Sequence, residues 1–129
     1  MSDLVVSPEV VQEETTVLCS GVLTDERGVA LGSAQLTACT LLMYLVDGSG
    51  LFIIGTLGNP VNILNVGRGV VDASGNIEIT LTPADNDIVG AGGGRFEVHE
   101  MLVEWTYAAG AKKGKQRVRY QVENLSKVV

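Results

Sequence analysis

The sequence predicts an all-β protein: an antiparallel sandwich of about seven or eight short strands behind an extended N-terminal arm. Three observations predict it. Between Arg95 and Val122 a long strand, a glycine-marked turn and a second strand follow one another. In the second, Val118, Tyr120 and Val122 alternate with Arg117, Arg119, Gln121 and Glu123 at the period of a half-buried strand, whose apolar face needs a second sheet over it. Sixteen glycines punctuate the 129 residues, which marks many short elements joined by turns. Aromatics are only 5% of the chain, so Val, Leu, Ile and Ala must fill the interior, and the β-branched residues among them pack well on a pleated surface.

Residues 1 to 13 read as the arm and 14 to 129 as the sandwich domain. Leu4, Val5, Val6, Val10 and Val11 make the arm apolar, while Pro8 and Gln12-Glu13-Glu14 interrupt a regular pattern. An apolar segment of this kind covers a surface, either as an edge strand added to its own sheet or as a clasp on a neighbouring subunit. A strand follows over Thr15 to Leu23, closed by the polar turn Thr24-Asp25-Glu26-Arg27-Gly28. Ala38 to Val46 is apolar on both faces, the mark of a central strand; Ala, Leu and Met across residues 33 to 46 make a helix the competing reading. Asp47-Gly48-Ser49-Gly50 turns the chain into Leu51 to Ile54, predicting a hairpin. Gly55 to Asn62 reads as loop, with short strands at Ile63 to Val66 and Gly69 to Asp72, and a turn over Asp72-Ala73-Ser74-Gly75.

From Asn76 to Thr82 the alternation of Ile77, Ile79 and Leu81 with polar neighbours is clean, and Thr82-Pro83-Ala84-Asp85 suits one helical turn with Thr82 as cap. Gly90 to Gly94 is flexible by composition and leads into a strand rather than a helix, so it does not make a phosphate loop. Along Phe96 to Tyr107 the parity slips: Phe96 and Val98 hold one phase, Met101, Val103, Trp105 and Tyr107 the other. That slip predicts a bulge or a change of sheet near His99-Glu100.

Composition removes several function classes. Apolar residues at 46%, charged residues at 19% and a mean hydropathy of +0.28 are those of a folded domain. A net charge of −6 argues against a nucleic-acid partner. The basic cluster Lys112, Lys113, Lys115, Arg117 and Arg119 is either a solvated hairpin tip with the outer face of one strand, or a docking patch for an acidic surface. No stretch approaches the roughly 20 apolar residues of a membrane span, and residues 1–4 carry no secretory pattern, so a cytosolic chain is the expectation. Cys19 and Cys39 sit on separate predicted strands; buried free thiols are the default, and a disulfide would need those strands adjacent in the right register.

Chemistry is sparse. Glu97, His99, Glu100 and Glu104 are the one concentration of acid/base or ligand groups; Glu97 and His99 share a face, which would suit a weak divalent cation, against the plainer reading of solvent-facing or intersubunit polar residues. A single histidine and no nucleophile elbow leave no triad, and no cofactor motif is present. Trp105, Tyr107, Tyr44 and Tyr120 would make a sugar-stacking platform if exposed, but the phase of Trp105 with Met101 and Val103 assigns it to the core.

Four segments carry a likeness: Gly21-Val22-Leu23-Thr24-Asp25-Glu26-Arg27-Gly28; Val71-Asp72-Ala73-Ser74-Gly75-Asn76-Ile77; Leu81-Thr82-Pro83-Ala84-Asp85-Asn86; and the strand around Glu97-Val98-His99 and Glu104-Trp105-Thr106-Tyr107. Together, over most of residues 15 to 125, they resemble the immunoglobulin-like β-sandwich proteins of tailed-bacteriophage virions, including adaptor domains of baseplate and receptor-binding components. The resemblance implies a non-enzymatic virion building block without cofactor, present in many copies or as a homo-oligomer and assembled in the host cytoplasm. It would bind capsid, neck, tail or fibre proteins through its arm, strand edges and loops, with Leu4, Val5, Val6, Val10, Val11, Lys112, Lys113 and Lys115 as the contact residues. A carbohydrate-binding β-sandwich module is the alternative.

Overall fold

The computed structural model of the chain describes residues 4–7, 10–12, 15–47, 50–53, 61–83 and 96–123. Among them run ten strands: β1 (Val5–Ser7), β2 (Val10–Gln12), β3 (Val17–Val22), β4 (Leu36–Asp47), β5 (Gly50–Ile53), β6 (Val61–Asn62), β7 (Gly69–Val71), β8 (Asn76–Leu81), β9 (Phe96–Tyr107) and β10 (Lys112–Glu123). A 3-10 turn at Ser33–Gln35 leads into β4, so the segment that competed as a helix is a turn entering a strand. Hydrogen-bonded neighbours on both edges of this strand outweigh the helix preference of its Ala, Leu and Met.

The strands form two sheets, ordered β1-β3-β8-β7 and β2-β10-β9-β4-β5, with β6 beside β5 on the same edge of β4. This is the immunoglobulin-like arrangement: one sheet of the A-B-E-D type, the other of the G-F-C-C′ type, in that chain order. The eight strands from β3 to β10 are the predicted sandwich, and β4 is central as expected, between β9 and β5/β6. One hydrophobic cluster joins the layers. Val17, Cys19, Ile77, Ile79 and Leu81 come from the first sheet, and Cys39, Leu41, Met43, Met101, Val103, Trp105, Val118, Tyr120 and Val122 from the second. Alternation on β8 is complete, with Ile77, Ile79 and Leu81 buried and Asn76, Glu78 and Thr80 exposed.

The arm divides between the layers. Val5–Ser7 pairs antiparallel with β3, whereas Val10–Gln12 pairs parallel with Gln121–Glu123 of β10, the only parallel pairing among the described strands. Leu4 and Val11 are buried in the core, and the Leu4 amide donates to Gln116 Oε1 at 3.2 Å. Of the two readings of the arm, the structure has the edge strand on its own domain, one piece on each sheet.

Turn chemistry closes the ends. Asp25 Oδ1 accepts from the amides of Arg27 and Val29, and Asp72 Oδ1 from those of Ser74 and Asn76, so each aspartate replaces part of a strand ladder at a reversal. Gly75, at φ +92°, supplies the left-handed residue of the second turn, and its carbonyl accepts from the Leu23 amide.

Two expectations fail. The strand at Ile63 to Val66 is absent and β6 lies just before it, inside the expected loop. Asn62 Oδ1 takes the Leu64 amide, and Asn65, in the left-handed region at φ 54°, takes the Val71 amide; these side-chain acceptors bend the chain there while Ile63 enters the core. The predicted bulge near His99-Glu100 is absent too. β9 runs in unbroken register with β10 from Tyr107 to Phe96 and with β4 from Thr106 to Val98, and the shift in the latter pairing falls between Leu36 and Ala38. The apparent change of phase arises because Glu97 and His99 face inward despite being polar. The helical turn at Thr82–Asp85 runs into residues outside those described, as do Gly90–Gly94 and the tip of the β4–β5 hairpin.

Candidate functional site

The β9–β10 hairpin builds the most distinctive surface. Its turn places Ala108, Ala109 and Gly110 all at positive φ, and the amides of Gly110 and Ala111 donate to the carbonyls of Tyr107 and Ala108. The tip is tied to the turn after β3: Tyr107 Oη donates to Glu26 Oε2 at 2.6 Å, Lys112 Nζ donates to Glu26 Oε1 at 2.9 Å, and Trp105 Nε1 donates to the Thr24 carbonyl at 3.0 Å. The Tyr107 hydroxyl first, and then the Lys112 ammonium, hold the Glu26 carboxyl down at about 2 from an ordinary 4.5. The shared carboxylate raises both Tyr107 and Lys112. No sequence signal marks Glu26, because its partners lie more than 80 residues away.

Trp105 sits against the one glycine of β10. Gly114 is its register partner, and a Cβ there would lie 2.3 Å from indole Cε2, so the missing side chain makes room for the ring. On its other flank Trp105 pairs with Cys39. Antibody-type domains carry cysteines on the B and F strands and a tryptophan on C. Here the cysteines are on the B and C equivalents, β3 and β4, and the tryptophan is on the F equivalent, β9. The second thiol of a B–F bridge is therefore missing from β9, and Cys19 and Cys39 are free and buried, as read from the sequence; burial pushes both thiols up to about 12.

Along the outer face of β10 the side chains of Lys113, Lys115, Arg117 and Arg119 are exposed at alternate positions. Lys115 pairs with Glu104 at 3.1 Å and Arg119 with Glu100 at 2.7 Å, in register across the ladder. Among the described residues, Lys113 and Arg117 have no ion-pair partner. β10 carries five of the nine Lys and Arg residues and one acid, a net +4 in a chain of −6, so all other residues together sum to −10. Its edge is also largely open: among the described strands only β2 lies beside it, at Gln121–Glu123, which leaves Lys112 to Val118 with no strand on that side.

The acid/base concentration is placed differently from expectation. His99 and Glu100 are buried rather than solvent-facing. His99 Nε2 and Glu97 Oε2 are hydrogen-bonded at 2.6 Å, and the histidine ring packs edge-on to Tyr120, with centroids 5.6 Å apart. Glu100 points to the opposite face, 2% exposed, beneath an Arg119 that is 58% exposed. Glu97 and His99 do share a face, but no group of three or more ligating side chains occurs among the described residues. Trp105 is buried, as its phase implied, and so are Tyr107 and Tyr120; the side chain of Tyr44 lies outside what is described. Lys112, Lys113 and Lys115 are exposed, whereas Leu4 and Val11 of the arm are consumed by the domain's own core; the side chains of Val5, Val6 and Val10 lie outside what is described.

No protein-family model matches the chain, and no curated protein does. Among solved structures it is similar to MtrC from Shewanella baltica OS185, at 12% identity and a TM-score of 0.40 over 99% of this chain and 24% of that one. It is also similar to ACE19, the collagen binding subdomain of the Enterococcus faecalis surface protein ACE, at 12% identity and a TM-score of 0.26 over 94% of this chain and 96% of that one. The class is set by the strand order: an immunoglobulin-like β-sandwich whose basic strand β10 is, among the described strands, unpaired on one side from Lys112 to Val118.

Proposed function

We propose that this chain is a non-enzymatic assembly module, a structural or accessory subunit that joins other proteins of a larger particle, with the tailed-bacteriophage virion as the setting to which its sequence resemblance points. The observation that carries this reading is the edge of β10 from Lys112 to Val118, seven residues with no strand beside them among the described ones and with exposed cations along them. Unpaired main-chain donors and acceptors on a strand edge are a template for another chain, and a charge row selects among partners. Leu4 and Val11 are used internally, so this reading places attachment first on strand edges and on Lys112, Lys113 and Lys115. The carbohydrate-binding alternative has less behind it, because Trp105, Tyr107 and Tyr120 offer no exposed ring face.

The test is cross-linking mass spectrometry on particles purified from cells that make the chain, beside sedimentation of the isolated protein over a range of concentrations. Cross-links from Lys112, Lys113 or Lys115 to another subunit are the expected result. A chain absent from particles and monomeric at every concentration overturns the reading.

A further inference from the structure

We infer that the open edge of β10, from Lys112 to Val118, takes an extended acidic segment of a partner protein as an added strand; this rests on the assembly reading and names the partner's chemistry. A strand added there would lie about 4.8 Å from β10, with its side chains alternating between the two faces of the sheet. On the outer face it meets Lys113, Lys115 and Arg117, about 7 Å apart. Lys115 is engaged by Glu104, so the two cations without partners among the described residues, Lys113 and Arg117, set the recognition: carboxylates four residues apart. On the inner face the added strand meets Gly114, Gln116 and Val118, the first two half-buried; Gln116 Oε1 already accepts from the Leu4 amide, so small apolar residues suit the intervening positions beside the arm. The predicted partner segment therefore alternates acidic and apolar residues.

Charge also decides which strand does not bind. Edge lysines commonly guard a sheet against association. A row of one sign guards against its own kind, so two β10 edges repel, whereas an acidic strand is drawn in by opposite-charge pairs across the new ladder. In a chain whose other residues sum to −10, four cations aligned on one edge strand are a selective feature rather than a general solubilising one.

The test uses the intact protein and a short peptide of alternating glutamate and valine, followed by amide hydrogen exchange and fluorescence anisotropy. In the free protein the outward amides between Lys113 and Val118 exchange fast, and the peptide slows them. Replacing its glutamates by glutamine weakens binding by about tenfold or more, as does raising salt from about 50 mM to about 500 mM. N-methylation of alternate peptide residues abolishes binding, and the protein variant Lys113→Glu/Arg117→Glu loses it with an unchanged Tm. The inference is overturned if these amides are already protected in the free protein, if the glutamine peptide binds equally well, if N-methylation has no effect, or if the edge is filled by a second copy. A particle-borne chain that ignores the peptide would sink this inference and leave the assembly reading standing.

Discussion

Gly114→Ala is the sharpest perturbation the structure offers. The new methyl would sit 2.3–2.5 Å from three atoms of the Trp105 indole, and no real Cβ tolerates such contacts, so ring or strand must move. Forcing a methyl group into a packed core costs about 1–3 kcal/mol. Turning the ring aside also breaks the indole N–H bond to the Thr24 carbonyl, worth about 1 kcal/mol, while alanine's better backbone entropy returns roughly 0.5 kcal/mol. The net expectation is a loss of about 2–3 kcal/mol, or roughly 10 °C in Tm for a domain of this size. Because Trp105 is the sole tryptophan, urea unfolding followed by its fluorescence reports the site directly, and the native emission of the variant shifts to longer wavelength. A Trp105→Leu background supplies the control: with the indole gone, the alanine costs nothing, as circular dichroism melting will show. Equal losses with and without the indole, or a variant as stable as the parent with unmoved emission, would refute the close approach.

Further outcomes follow from other contacts. Glu26→Gln removes an acid-sensitive clamp: a carboxyl held at about 2 stabilises the fold above its ordinary 4.5 and loses that contribution as pH falls between the two values. The parent should thus lose stability over that interval more steeply than the variant in acid titrations followed by circular dichroism. Val11→Ala, in the arm yet fully buried, destabilises by about 2 kcal/mol in urea melts; a neutral result would mean that the arm does not dock on its own domain. Ala109→Gly relieves a left-handed alanine at φ 55° and raises stability by up to about 1 kcal/mol. Cys19 and Cys39, with thiols pushed up to about 12, stay unreactive to a thiol reagent at neutral pH until the protein unfolds.

What was legible from the sequence follows physical locality. Asp25 and Asp72 make turns with amides two and four residues away, so their roles can be read from neighbouring letters. The alternation of β8 and β10 encodes which face is covered. Ile63 defied the same rule because Asn62 and Asn65 offered competing acceptors, a contest whose winner depends on where Val71 returns. His99 and Glu97 broke the polarity code by bonding each other on the inner face, and that false change of phase suggested a bulge. Glu26 was invisible as a clamp for want of any local partner. Gly114, by contrast, carried a signal that went unread: a glycine within an otherwise regular strand marks the close approach of something large.

The divided arm bears on how the fold carries load. β2 and β10 lie side by side and point the same way, one near the start of the described chain and the other at its end. Tension applied through both ends would slide these two strands past each other, straining their hydrogen bonds together rather than unzipping them one by one. On the amino-terminal side β1 stands ahead of β2, so a pull from there strains the Val5–Ser7 pairing to β3 first and reaches the three-residue seam with β10 next.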